Sequence, residues 1–189
     1  MKVISISMKK SQGFALLLTM VVVSVVLAIS LSLLNVTLKQ YTLSATSRDS
    51  EIAFHAANTI MDCLRFYRSD SSTASGFLSS SGPAIDCTGG GSESSTNSSA
   101  LSADGETIYR HTYTFNIGES PNLLCTDASI YTAAAADNDI DYTLSNEGLG
   151  DFECPAGTTC TYIFARGYNR PCNDLSSIRT VQRELTAQF

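Results

Sequence analysis

At 189 residues the chain has room for one domain and an appendage, and much of its 43% hydrophobic content lies between Phe14 and Leu34, which leaves a fairly polar remainder. Its four lysines are Lys2, Lys9, Lys10 and Lys39, every carboxylate lies at or beyond Asp49, and from residue 40 onward 8 Arg stand against 18 Asp and Glu, a balance of −10. That acidity argues against a nucleic-acid partner, which needs clustered positive charge, and its plain role is to keep the domain soluble.

Phe14 to Leu34 runs for 21 residues without a charge, a proline or a glycine, and only Thr19, Ser24, Ser30 and Ser32 are polar. As a helix it would be about 31 Å long, enough to cross the hydrocarbon core of a bilayer. Lys9 and Lys10 precede it, so the positive-inside rule keeps the N-terminus cytoplasmic and exports everything after Lys39. A cleaved secretory signal has a shorter apolar core and a small-residue cut soon after it, which this run lacks. A plain signal anchor fits the length.

The junction Lys9-Lys10-Ser11-Gln12-Gly13-Phe14-Ala15-Leu16-Leu17-Leu18 resembles the prepilin leader of type IV pilins and pseudopilins. The resemblance implies that a membrane-embedded prepilin peptidase cuts between Gly13 and Phe14, after which Phe14 is methylated. A cut on the cytoplasmic side keeps the apolar helix, whereas a signal peptidase would discard it. Translation from Met8 would leave a leader of Met8 to Gly13. Most of the family has glutamate as the fifth mature residue, where this chain has Leu18. PilX-type minor pilins and tip-capping pseudopilins also lack it. A buried glutamate is costly without a partner, so Leu18 points to a minor subunit or a tip position over a major pilin. Ser47 to Ala57 also resembles the PilX-type pattern.

No glycine occurs between Phe14 and Gly76 and no proline before Pro83. Ala53, Ala56, Ile60, Leu64 and Tyr67 recur at helical spacing, flanked by Phe54 and Ala57, while Glu51, Asp62, Arg65 and Arg68 point largely away. This predicts one helix from near Phe14 to about Tyr67. Its part to residue 38 spans a membrane or packs in a filament core, and its amphipathic part, 39–68, covers a domain.

Residues 69–104 hold 16 Ser and Thr and five Gly in 36 positions, which predicts a loop too poor in apolar surface to order itself. Asn97-Ser98-Ser99 within it is a glycosylation sequon. Beyond it the period changes to two. Tyr109 to Ile117, Cys160 to Ala165 and Thr180 to Phe189 alternate as strands, with a short one at Tyr142 to Leu144. Residues 105–189 are thus an antiparallel β ectodomain. The fold expected is α+β, a long N-terminal helix on a small antiparallel sheet, and the resemblance implies the same pilin-like roll.

Six cysteines, Cys63, Cys87, Cys125, Cys154, Cys160 and Cys172, lie outside the apolar run and suggest three disulfides in an oxidising compartment. Spacing leaves the pairing open, with Cys87 the nearest partner in sequence for Cys63. A zinc site finds no C-x-x-C pair, and His55 and His111 stand apart. Asp137, Asp139 and Asp141 are spaced by two, but Tyr142 and Gly148 stand where an EF-hand needs glycine and glutamate. A looser calcium site is the metal reading, against a solvated acidic loop. No catalytic constellation or cofactor motif is present, so no enzyme is expected.

Three readings share this topology. One is a structural minor pilin or pseudopilin, whose partners by resemblance are other pilin subunits, the prepilin peptidase, the inner-membrane assembly platform and membrane lipid. The second is an anchored or pilus-tip adhesin, and the third a plain single-pass anchored protein.

Overall fold

The computed structural model describes residues 12–89, 92–103, 105–143 and 151–189. The leader up to Ser11, most of the glycine run at 89–91, and Leu144 and Gly148 lie outside them. The protein is α+β. A helix α1 (Gln12–Ser69) of 58 residues precedes a 3-10 turn (Ala74–Leu78) and strands β1 (Asn97–Ala103), β2 (Glu106–Ile117), β3 (Leu124–Ala135), β4 (Ile140–Thr143), β5 (Asp151–Cys154), β6 (Thr158–Tyr168) and β7 (Gln182–Gln188). Chain contacts divide the protein at Thr46/Ser47, and α1 contributes to both compact units.

In the second unit, five strands form one sheet in the order β1-β2-β3-β6-β7, with every neighbouring pair antiparallel. One face of the sheet receives the C-terminal part of α1. Ala53, Ala56, Ile60 and Leu64, the stripe legible in the sequence, are buried at 2% exposure or less. Ala57 and Met61 join them, whereas Phe54 stays 45% exposed. Across the interface lie Tyr113 and Phe115 of β2, Ala128 and Ile130 of β3, and Ile163 and Ala165 of β6. Gly167 sets the depth of the docking. A Cβ built there would lie 2.1 Å from the Ala53 carbonyl oxygen and 2.3 Å from the Ala57 nitrogen, so only glycine admits the helix at this crossing. Polar contacts pin the helix on either side of it. Arg183 Nε donates to Ser50 Oγ at 2.7 Å, and Arg68 Nε donates to Thr161 Oγ1 at 2.8 Å.

The opposite face is half covered. β4 and β5 pair as a separate two-stranded ribbon, and Ile140 and Phe152 bury against Ile108, Tyr131, Ala133 and Phe164. The rest of that face is polar. Arg166 reaches Asp127 at 3.3 Å and Glu184 at 3.6 Å while lying over the Phe164 ring.

Three sequence expectations need correction. Residues 69–104 are not a bare loop. They contain the 3-10 turn, with Phe77 fully buried, an antiparallel bridge between Ile85 and Glu93, and β1, which pairs with β2 along its whole length. A few well-placed apolar residues anchor a serine-rich chain whose backbone groups find partners in the ladder. Central strand β3 and short β5 were absent from the sequence reading. β3 is buried on both faces, so Ala128, Ile130, Tyr131 and Ala133 give no alternation to read. The short strand expected from Tyr142 to Leu144 begins earlier, at Ile140, and is described as far as Thr143, with Leu144 outside the described residues.

Candidate functional site

The N-terminal part of α1 is the largest unexplained feature of the molecule. Every residue from Phe14 to Arg48 is exposed. Phe14 is 72% exposed, Leu18 54%, Val25 52% and Leu34 55%. The described residues contain one helix, Phe14–Ser69, long and apolar enough to cross a membrane; its most apolar window has a mean hydropathy of 2.8 and none of it is buried. A helix that is apolar all round and uncovered in the monomer requires lipid or other helices around it.

Its few polar groups suit that setting. Thr19 Oγ1 donates to the Leu16 carbonyl, Ser24 Oγ to Val21 and Ser30 Oγ to Val26, at 2.8–2.9 Å. Thr37 Oγ1 donates to the carbonyls of Leu33 and Leu34. A hydroxyl that bonds back to its own helix needs no water, so these residues enter an apolar phase at little cost. Lys39 ends the uncharged stretch, and Tyr41 follows at 76% exposure. A cation and a tyrosine at the end of a span suit the membrane interface. Gly13 and Phe14, the residues flanking the expected cut, both lie in α1.

The six cysteines form three disulfides, all in the second unit. Cys63 bonds Cys87 and ties α1 to the segment that precedes β1. Cys125 bonds Cys172 and fastens the start of β3 to the stretch after β6. Cys154 bonds Cys160 across the turn between β5 and β6. Tyr67 reinforces the first of these ties: its hydroxyl donates to the Asp86 carbonyl at 3.2 Å and accepts from the Asp86 N–H at 3.1 Å.

Asp137, Asp139 and Asp141 do not converge. Asp139 Oδ1 accepts from the Ala156 N–H at 2.8 Å, and the Asp137 N–H donates to Glu106 Oε1 at 3.4 Å. Asp139 and Asp141 share a shallow recess of about 260 Å³ with Glu153. Among the described residues no three His, Cys, Asp or Glu side chains gather as metal ligands. His55 lies on the outer surface of α1, 3.8 Å from Glu51.

His111, which the sequence places in phase with Tyr113 and Phe115 on an alternating strand, has partners that the sequence does not show. Its ring is fully buried, with Nδ1 2.9 Å from Ser98 Oγ and Nε2 3.2 Å from the Phe77 carbonyl oxygen. Burial holds this histidine below its usual pKa, and the bond to Phe77 partly offsets the effect. The Ser98–His111 pair is unsuited to hydrolysis. The second ring nitrogen faces a carbonyl instead of an orienting carboxylate, and the Gly82 backbone sits so close that a Cβ there would be 2.7 Å from Nδ1. Gly167 also escaped the sequence reading; a glycine inside a strand was its only signal.

Compared with known proteins, the chain matches no family model, no curated protein and no solved structure.

Proposed function

We propose that the chain is a minor pilin or pseudopilin, a structural subunit that performs no catalysis and joins a type IV pilus or a type II secretion-like filament through the N-terminal part of α1. The observation that carries this reading is the contrast within α1. Phe14 to Leu34 is apolar and exposed on every side, while Ala53 to Leu64 is a striped helix packed on a disulfide-tied antiparallel sheet. A helix of the first kind needs an apolar surround, and a domain of the second kind needs an oxidising compartment.

In this reading the N-terminus is cytoplasmic and the domain extracytoplasmic. The prepilin peptidase cuts between Gly13 and Phe14, Phe14 is methylated, and lipid holds the helix until the inner-membrane assembly platform passes it to neighbouring subunits. Leu18 at the fifth mature position favours a minor or tip subunit, since no carboxylate there needs a partner in the next subunit. The acidic domain, with its net charge of −10 beyond residue 40, is not a nucleic-acid surface.

The test is to shear surface filaments from the native host and ask where the chain is. It should co-purify with the filament, and a Leu27→Cys variant should cross-link to a neighbouring subunit through its helix. Retention of all the protein in the membrane, with filaments unchanged after deletion of the chain, would contradict a filament role and leave an anchored domain.

A further inference from the structure

His111 holds together three parts of the chain that are far apart in sequence. It projects from β2 in register with Ile130 of β3 and Ser98 of edge strand β1. Its Nε2 reaches the Phe77 carbonyl in the 3-10 turn, its Nδ1 reaches Ser98 Oγ, and its ring packs near that of Phe77. The Gly82 backbone closes the remaining side. The imidazole therefore joins the 3-10 turn to β1 and β2, in a segment that Cys63–Cys87 cross-links to α1 near its middle.

Among the described residues, the groups that bond the ring or flank it in register are uncharged. Phe77 offers a carbonyl, β1 offers Ser98, β3 offers Ile130, and β2 offers Tyr113, whose hydroxyl donates to the Pro83 carbonyl and which burial keeps protonated. Among the described residues of the segment, no acid bonds the ring. Asp86 Oδ1 accepts from the N–H groups of Thr88 and Gly89, Asp70 is bonded by Ser72, and Glu93 meets Ile85 through its backbone.

We propose that His111 is a pH-operated latch: proton uptake by its buried ring loosens the 3-10 turn and β1 from the sheet, while Cys63–Cys87 keeps the loosened segment attached. In the neutral ring Nε2–H donates to Phe77 and Nδ1 accepts from Ser98. A second proton, on Nδ1, obliges Ser98 to reverse its hydroxyl toward Ser95 Oγ at 2.6 Å or the Ser81 carbonyl at 3.4 Å. That reversal preserves the hydrogen bonds, so the cost falls on holding a cation at zero exposure with no charged bonding partner among the described residues. The closed form has the lowered pKa, so the open form binds more protons. Closure is complete above the usual histidine value of about 6.5 and weakens as the pH falls through it. Opening uncovers Phe77 and Ile85, both fully buried when the latch is closed.

The experiment is hydrogen exchange on the full chain in phospholipid nanodiscs at about pH 7.5 and about pH 5. Protection factors would be used, which remove the intrinsic pH dependence of exchange. Protection over residues 73–103 should fall about tenfold or more on acidification while β3 and β6 keep theirs. His55→Ala, which removes the other histidine, should leave that fall intact, and His111→Gln should abolish it. Equal protection at the two pH values, or a fall that persists in His111→Gln, would overturn the proposal. Should His111→Gln fail to fold, the wild-type histidine resonances decide. Proton uptake by His111 at the pH where the segment loses protection supports the latch; uptake with the segment still protected overturns it.

Discussion

The two halves of α1 have similar helical backbones and opposite surroundings. From Phe14 to Leu38 no residue is charged and every side chain is exposed. From Ala53 to Leu64 the apolar residues form a stripe, and Glu51, Asp62 and Arg65 occupy the outer surface. The difference teaches what each half is solvated by. The second half is amphipathic because a sheet covers one side and water the other. The first half is apolar all round, as a helix surrounded by lipid or by other helices is.

Substitutions can break or sharpen this contrast. The largest effect is expected at the helix–sheet crossing. Gly167→Val would drive a side chain into the backbone at Ala53 and Ala57, and should cost at least about 4 kcal/mol in urea unfolding of the full chain in detergent. A loss below about 1 kcal/mol would mean that the helix is not seated as described.

Next come the disulfides, which should rank by the chain they enclose. Their sequence separations are 47 for Cys125–Cys172, 24 for Cys63–Cys87 and 6 for Cys154–Cys160. Paired serine substitutions should cost about 4, about 3 and about 2 kcal/mol in that order, read as unfolding midpoints of the three variants. None of the three should release the protein from the membrane. If one did, the two halves would not be separately solvated.

Val25→Arg inverts the test. A charge near the middle of the apolar run should weaken insertion by about 3 kcal/mol, seen as chain extracted by alkaline carbonate. The disulfide-tied domain should keep its near-UV circular dichroism. The smallest effect belongs to Asp127→Asn on the open face of the sheet. Arg166 keeps Glu184 and the Phe164 ring, so the loss should be about 0.5 kcal/mol and shrink with salt.

How much was legible in the sequence follows from the same idea of one-sided covering. The stripe on α1 and the alternation in β2 could be read because each has one covered face and one open face. β3 could not, since alanines, Ile130 and Tyr131 are buried on both its faces and its composition suggests no strand. β1 was hidden by its serines, because what orders it is backbone pairing with β2, its own Leu101 and the anchors Phe77 and Ile85 in the segment before it, none of which is a periodic signal. The nearest-neighbour pairing of Cys63 with Cys87 matches the disulfide, while Cys125–Cys172 depends on the fold that brings the start of β3 beside the stretch after β6. Among site residues, the apolar run was legible from its length and its lack of charge, proline and glycine. His111 was in view as part of an alternating strand, but its role depends on Ser98 and Phe77, which only the fold brings to it.

The most direct measurement is the mass of the mature N-terminus of the protein taken from its native membrane. The account predicts a chain beginning at Phe14 and carrying one added methyl group, with the whole apolar helix retained. An intact leader, or a cut beyond Leu34, would contradict it and leave an ordinary anchored or secreted domain.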